Sequence, residues 1–134
     1  GMNAIGFSLC DYSHDADFAH ALPWVKKIAE QALAHPMPKG IALNVNIPRK
    51  SENPIQGVKA CRQAMAKWQE TFDERTDPYG RKYLWLSGYF VNNDRGEDTD
   101  EWAISQNYVS VVPVSYDMTA HHVLSNLNGE WDIF

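Results

Sequence analysis

Lysine and arginine are missing from the last 39 residues of this 134-residue chain: all twelve lie at or before Arg95, while the stretch from Gly96 onward carries seven carboxylates. Up to Arg95, twelve cations against ten carboxylates give +2; the remainder is −7, and the two sum to the formal −5. A tail of that charge cannot displace counterions from a phosphate backbone, and the small excess before it is too weak to do so, so no nucleic-acid polymer is expected as a partner. Cysteine is scarce. Cys10 and Cys61 are too few for a disulfide framework and stand in no metal or redox spacing, so both read as small buried apolar residues. No run of eighteen apolar residues exists, and the N-terminus lacks the basic start and apolar stretch of a secretory signal. The expectation is a cytoplasmic chain with no membrane partner. Gly1 ahead of Met2 reads as a remnant of tag removal, which would make Met2 the first residue of the reading frame. Also absent are a phosphate-cradling glycine loop, a Gly-x-Ser-x-Gly elbow, a His-Glu-x-x-His pair and a Cys–His nucleophile arrangement.

What is present suits one α/β domain with its own core. Ala4 to Leu9 is a short apolar run without helical period, bounded by polar residues, and predicts a strand. From Asp15 to about His35, Phe18, Leu22, Val25, Ile28, Ala29, Ala32 and Leu33 recur at helical spacing, with Ser13 or Asp15 as candidate caps. Pro23 implies either a kink or a helix that begins near it. Ile41 to Ile47 alternates and stops at Pro48, a second strand, so strand, helix and strand suggest a parallel pair with a right-handed crossover. Between Gly57 and Phe72 the periodicity fits helix or strand equally. Asp77-Pro78-Tyr79-Gly80 is a turn, and Tyr83 to Leu86 favours a strand. If residues 57–68 are extended, a long hairpin over 57–90 results. Tyr108 to Val114 is the clearest strand, and Thr119 to Leu127 reads as a terminal helix capped by Thr119. The chain thus divides into a strand-helix-strand unit over 1–56, the hairpin over 57–90, and an acidic loop, strand and arm over 91–134.

Two acidic segments invite a cation. Asp11, Ser13, Asp15 and Asp17 alternate like the first ligands of a calcium loop, but the sixth and twelfth places hold Ala16 and Leu22 instead of glycine and glutamate. Helix capping is the ordinary role of such a stretch. Asn92 to Glu101 could offer oxygen ligands to a hard cation, although a solvated charged loop is commoner. His121 and His122 would point about 100° apart on a helix and cannot share a metal as an i, i+4 pair can.

Seven stretches occur together in an informative order: Ala4–Leu9, Leu43-Asn44-Val45-Asn46-Ile47-Pro48, Gly57-Val58-Lys59, Asp77-Pro78-Tyr79-Gly80, Leu84-Trp85-Leu86-Ser87-Gly88, Thr99-Asp100-Glu101-Trp102-Ala103, and Tyr108 to Val114 followed by Asp117-Met118-Thr119-Ala120-His121. In this order and approximate spacing the chain resembles the C-terminal half of the SurE family, survival protein E, the metal-dependent 5′/3′-nucleotidases and acid phosphatases. The resemblance implies the end of a Rossmann-like sheet, a long β-hairpin, and a strand and helix arm exchanged between subunits of a homo-oligomer. It implies nucleoside monophosphates as substrates and a divalent metal, Mg or Mn, as cofactor of the intact enzyme. The family's metal ligands come from an Asp-Asp-Gly motif, a later serine and a Ser-Gly-x-Asn asparagine, none of which has a counterpart here. No bound metal, no metal ligand and no catalytic residue is therefore expected in this chain, which is expected to be inactive alone or to serve as an oligomerisation or regulatory module. Thr99 and Asp100 match a family Thr-Asp step, which implies a loop approaching the phosphate; the ordinary alternative is a loop held by its own hydrogen bonds. The charge asymmetry would let the two parts attract each other between protomers. The half-sheet should expose an edge and an apolar face.

Overall fold

A computed structural model describes residues 4–131. Gly1, Met2 and the last three residues of the expected arm lie outside the described residues. Strand β1 (Ala4–Cys10) leads through a long loop to helix α1 (Leu22–Ala34) and back to β2 (Ile41–Pro48). β1 and β2 are parallel, with Ile5 opposite Leu43 and Ser8 opposite Asn46. The strand-helix-strand expectation therefore holds, and the ambiguity at Pro23 resolves. The helix starts at Leu22 with proline in its first turn, where a missing N–H is harmless. Ser13 and Asp15 do not cap it: the cap position is Ala21, with no side-chain hydrogen bond. The acidic stretch folds on itself instead, with Asp11 accepting from the Ser13 N–H and Asp17 from the Ala19 N–H.

Strand β6 (Val109–Ser115) inserts antiparallel to β2, and β3 (Val58–Ala60) pairs parallel with β6, giving the order β1-β2-β6-β3. The long hairpin is a separate two-stranded ribbon of β4 (Ala66–Thr76) and β5 (Lys82–Asn92). This corrects the expected range 57–90: residues 58–60 belong to the main sheet, and the ribbon runs from 66 to 92. The reason is long-range pairing with β6, which no local periodicity announces. The turn stands where expected, with Gly80 at φ +81° and Asp77 accepting from the N–H groups of Tyr79 and Arg81.

A six-residue helix, α2 (Asp100–Ser105), was not expected; it lies where the sequence reads as the end of an acidic loop. The terminal helix α3 spans His121–Glu130, later than expected, with Ala120 rather than Thr119 at its cap position. No described residue of α3 is buried. Asp117 instead ties the start of the arm, accepting from the Thr119 N–H and pairing with the His121 ring at 2.8 Å.

The core lies on one face of the sheet. Val45, Ile47 and Val109 are sealed against Ala21 and Ile28 near and within α1, with Ile5, Phe7 and Leu9 packed around them. On the other face α2 brings Ala103 against Val112 and Cys61. Because directly paired residues share a face, that second face carries a polar row across all four strands: Ser8, Asn46, Ser110 and Lys59. The helix and its partner strands give one side its apolar burial, and the polar row is left to the side where α2 and the base of the hairpin converge.

Candidate functional site

The acidic loop is organised by an arginine. Arg62, just after β3, donates from Nη1 and Nη2 to the two carboxylate oxygens of Asp94, at 2.6 and 3.0 Å, and from Nε to Asp98 at 2.9 Å. Its backbone is stitched to the same loop, receiving the Asp100 N–H at its carbonyl and donating its own N–H to the Asp98 carbonyl. Asp94 also accepts from the N–H groups of Met65 and Gly96. Those bonds, the Arg62 guanidinium foremost, hold the Asp94 carboxyl far below the usual carboxylate range. The loop thus has its cation in a side chain of this same chain. Among the described residues no group of three or more His, Cys, Asp or Glu is placed to hold a metal ion.

Thr99 and Asp100, singled out in the sequence, sit at the junction of this loop with α2. Thr99 is fully enclosed; its Oγ1 accepts from the Trp102 N–H at 3.1 Å and donates to the Gly96 carbonyl at 3.0 Å, so it caps α2. Asp100 Oδ1 accepts from the Ala64 N–H at 2.8 Å, which ties α2 to the segment leading into β4. The two are adjacent, yet they point into different structural tasks.

Beside Asp100 opens a cleft of about 650 Å³ lined by Cys10, Tyr12, Asn46, Trp68, Phe90, Asp100, Glu101 and Ile104. Cys10 and Tyr12 bring the carboxyl end of β1, Asn46 that of β2, Trp68 and Phe90 the base of the hairpin, and the remaining three belong to α2. Ligands of open α/β sheets bind at such strand ends. Partial burial pushes the Glu101 carboxyl above its ordinary value, with the neighbouring Asp100 charge adding to it. Burial and then the Glu101 charge push the Cys10 thiol upward too. Neither the Asn46 amide nor the Glu101 carboxylate hydrogen-bonds to another described side chain, so both remain available to a ligand. Opposite Asn46 in register, the Ser110 hydroxyl is buried without a hydrogen-bond partner among the described residues.

Asn46, Trp68, Phe90 and Glu101 were not among the site residues legible in the sequence. Asn46 was visible as a polar residue of an alternating strand and as part of the Leu43–Pro48 motif, with no role attached to it. The pairing of Trp68 with Phe90 was hidden because the undecided period of residues 57–72 left the strand carrying Trp68 without a register.

The family profile described as Survival protein SurE matches residues 1–70. A 5′-nucleotidase SurE from Cytophaga hutchinsonii is 58% identical over 98% of this chain, and one from Flavobacterium psychrophilum is 53% identical over 99%. The chain spans about half the length of these curated relatives, 51% in each case. A crystal structure of the SurE protein from Aquifex aeolicus superposes with a TM-score of 0.76 at 29% identity, covering 96% of this chain and 52% of that one. The shared profile, the identity along nearly the whole chain and the common fold lead to one conclusion: the chain belongs to the SurE family.

Proposed function

We propose that this chain is the C-terminal portion of a SurE-type nucleotidase that hydrolyses the phosphomonoester of nucleoside monophosphates in the cytoplasm. The observation that carries this reading is the extent of the likeness: relatives named 5′-nucleotidase SurE match 98–99% of the chain, and a SurE structure superposes on 96% of it. Among the described residues, the aspartates of the acidic loop do not fit a divalent cation. Asp94 and Asp98 are taken by Arg62, and Asp100 by a backbone N–H. In this reading Mg or Mn belongs with the Asp-Asp-Gly part of an intact enzyme, and this chain supplies the wall of the substrate pocket. The chain alone is then inactive.

Phosphate release from a nucleoside monophosphate tests both parts. An intact relative such as that of Cytophaga hutchinsonii should release phosphate in the presence of Mg or Mn and stop on chelation; this chain at equal concentration should not. Chelator-sensitive release by the chain itself would overturn its inactivity, and none from the intact relative would overturn the reaction class.

A second reading, as an oligomerisation module, draws on the ribbon. Trp68, Phe72, Leu84, Leu86 and Phe90 share one of its faces by register, and all are at least half exposed. A lone two-stranded ribbon is marginal in water, and so large an apolar strip favours a protein partner. Together with an arm whose helix buries none of its described residues, it supports a homodimer formed by exchange of the C-terminal arm.

A further inference from the structure

We infer that the cleft between the hairpin base and α2 receives the nucleoside end of the substrate, not its phosphate, with Trp68 and Phe90 against the base and Asn46 and Glu101 hydrogen-bonding the polar edge. This rests on the nucleotidase reading above and assigns an orientation within it. Charge decides which end enters. The charged side chains lining the cleft are Asp100 and Glu101, both acidic, and two carboxylates repel a phosphate dianion. A cation stands next door: Arg49 lines a second cavity of about 390 Å³ that shares Cys10 and Ile104 with the first.

The walls suit a base. Trp68 and Phe90 are directly opposed across the ribbon, and each is about half exposed, 59% and 50%, so part of each ring is accessible for stacking. Gly88 makes this possible. A β-carbon there would collide with the Trp68 indole, so the absence of one lets the ring lie across β5. The polar groups suit a nucleoside equally. The Asn46 amide offers both donor and acceptor, and an ionised Glu101 offers acceptors only, which matches sugar hydroxyls.

Adenosine tests the assignment because it carries no phosphate to hydrolyse. In a two-dimensional ¹H–¹⁵N titration of the 134-residue chain, adenosine should shift the Trp68 indole and Asn46 side-chain amide signals saturably, and inorganic phosphate should not. Phe90→Leu should weaken adenosine binding by about tenfold, the usual worth of one stacking ring. Glu101→Gln should weaken it and narrow the preference for adenosine over 2′,3′-dideoxyadenosine. Both side chains are partly exposed, and a dispersed spectrum will verify that each variant is folded. Absence of saturable shifts at the two reporters, the same shifts with phosphate alone, or unchanged affinity in both variants would overturn the inference. Adenosine binding here with no hydrolysis by an intact relative would sink the reaction class and leave the subsite standing. Hydrolysis without adenosine binding would do the reverse.

Discussion

Arg62 and Asp94 meet as a two-pronged pair, Nη1 to Oδ2 at 2.6 Å and Nη2 to Oδ1 at 3.0 Å, across 32 positions of sequence. The Asp94 side chain is only 9% exposed, whereas the Arg62 side chain is 43% exposed and reaches on to Asp98. Planar fork geometry suits arginine to this place and not lysine. The contact fixes the loop that leads to Thr99, Asp100 and Glu101 to the segment entering the hairpin.

Acid should expose that pair. Asp94 has a folded-state value lowered well beneath the unfolded one, so its contribution is fully present above about pH 4 and is lost as pH falls through the folded value. Arg62→Ala should lower the melting temperature at neutral pH and flatten its decline between pH 4 and pH 2. An equally steep decline in the variant would show that other carboxylates dominate acid unfolding.

Thr99→Val keeps the shape of the side chain and removes both of its hydrogen bonds, to the Trp102 N–H and the Gly96 carbonyl. Loss of such a cap should cost about 1–2 kcal/mol in denaturant unfolding, and Thr99→Ser should recover most of it. If serine and valine are equally destabilised, packing rather than capping is what Thr99 contributes.

At Asp100 the proposed function and the observed bond to Ala64 make different demands. In an intact relative, alanine at this position is expected to reduce turnover more than folding stability. Measuring kcat and unfolding on the same preparation decides it: turnover that stays unchanged, or falls only with the folded fraction, leaves the aspartate a purely structural role.

Gly88→Ala should disturb the ribbon at its base. A β-carbon at this position would stand 2.6 Å from the Gln69 carbonyl oxygen as well as against the Trp68 indole. The expected loss is about 1–3 kcal/mol, the range for overpacking, with a shift in Trp68 emission. Unaltered emission and stability would mean the strand yields without moving the ring.

The arm after β6 offers the test of assembly. Removing residues 116–134 should convert a dimer of the full chain into a monomer in analytical ultracentrifugation. A full chain that sediments as a monomer, or a dimer that survives the truncation, would rule out exchange of the arm.

Local pattern carried much of the fold. The alternation ending at Pro48, the helical period up to Leu33, the Asp77–Gly80 turn and the apolar run up to Val114 each recorded a choice made within a few residues, because periodicity, proline and glycine act through the backbone nearby. The motifs in their order also led to the family. Other features depended on contacts between distant residues. Val58–Ala60 became a strand of the main sheet by pairing with β6, about fifty residues later. The acidic loop keeps an exposed charged surface at Glu97, Asp98 and Glu101, but Arg62 pins it through Asp94 and Asp98, a contact that composition does not show. The charge division with which the sequence is most easily described is bridged within the chain itself, where Arg62 holds Asp98.

By itself, the sequence determined the parallel strand-helix-strand unit, the position of the hairpin turn, the clearest strand and the family, since these follow from short-range periodicity and from residues adjacent in the chain. Only the tertiary structure decided that Asn46, Trp68, Phe90 and Glu101 share one cleft. They come from β2, from two strands of the ribbon and from α2, and the long-range pairings of β6 and the Arg62 clamp bring those elements to one place.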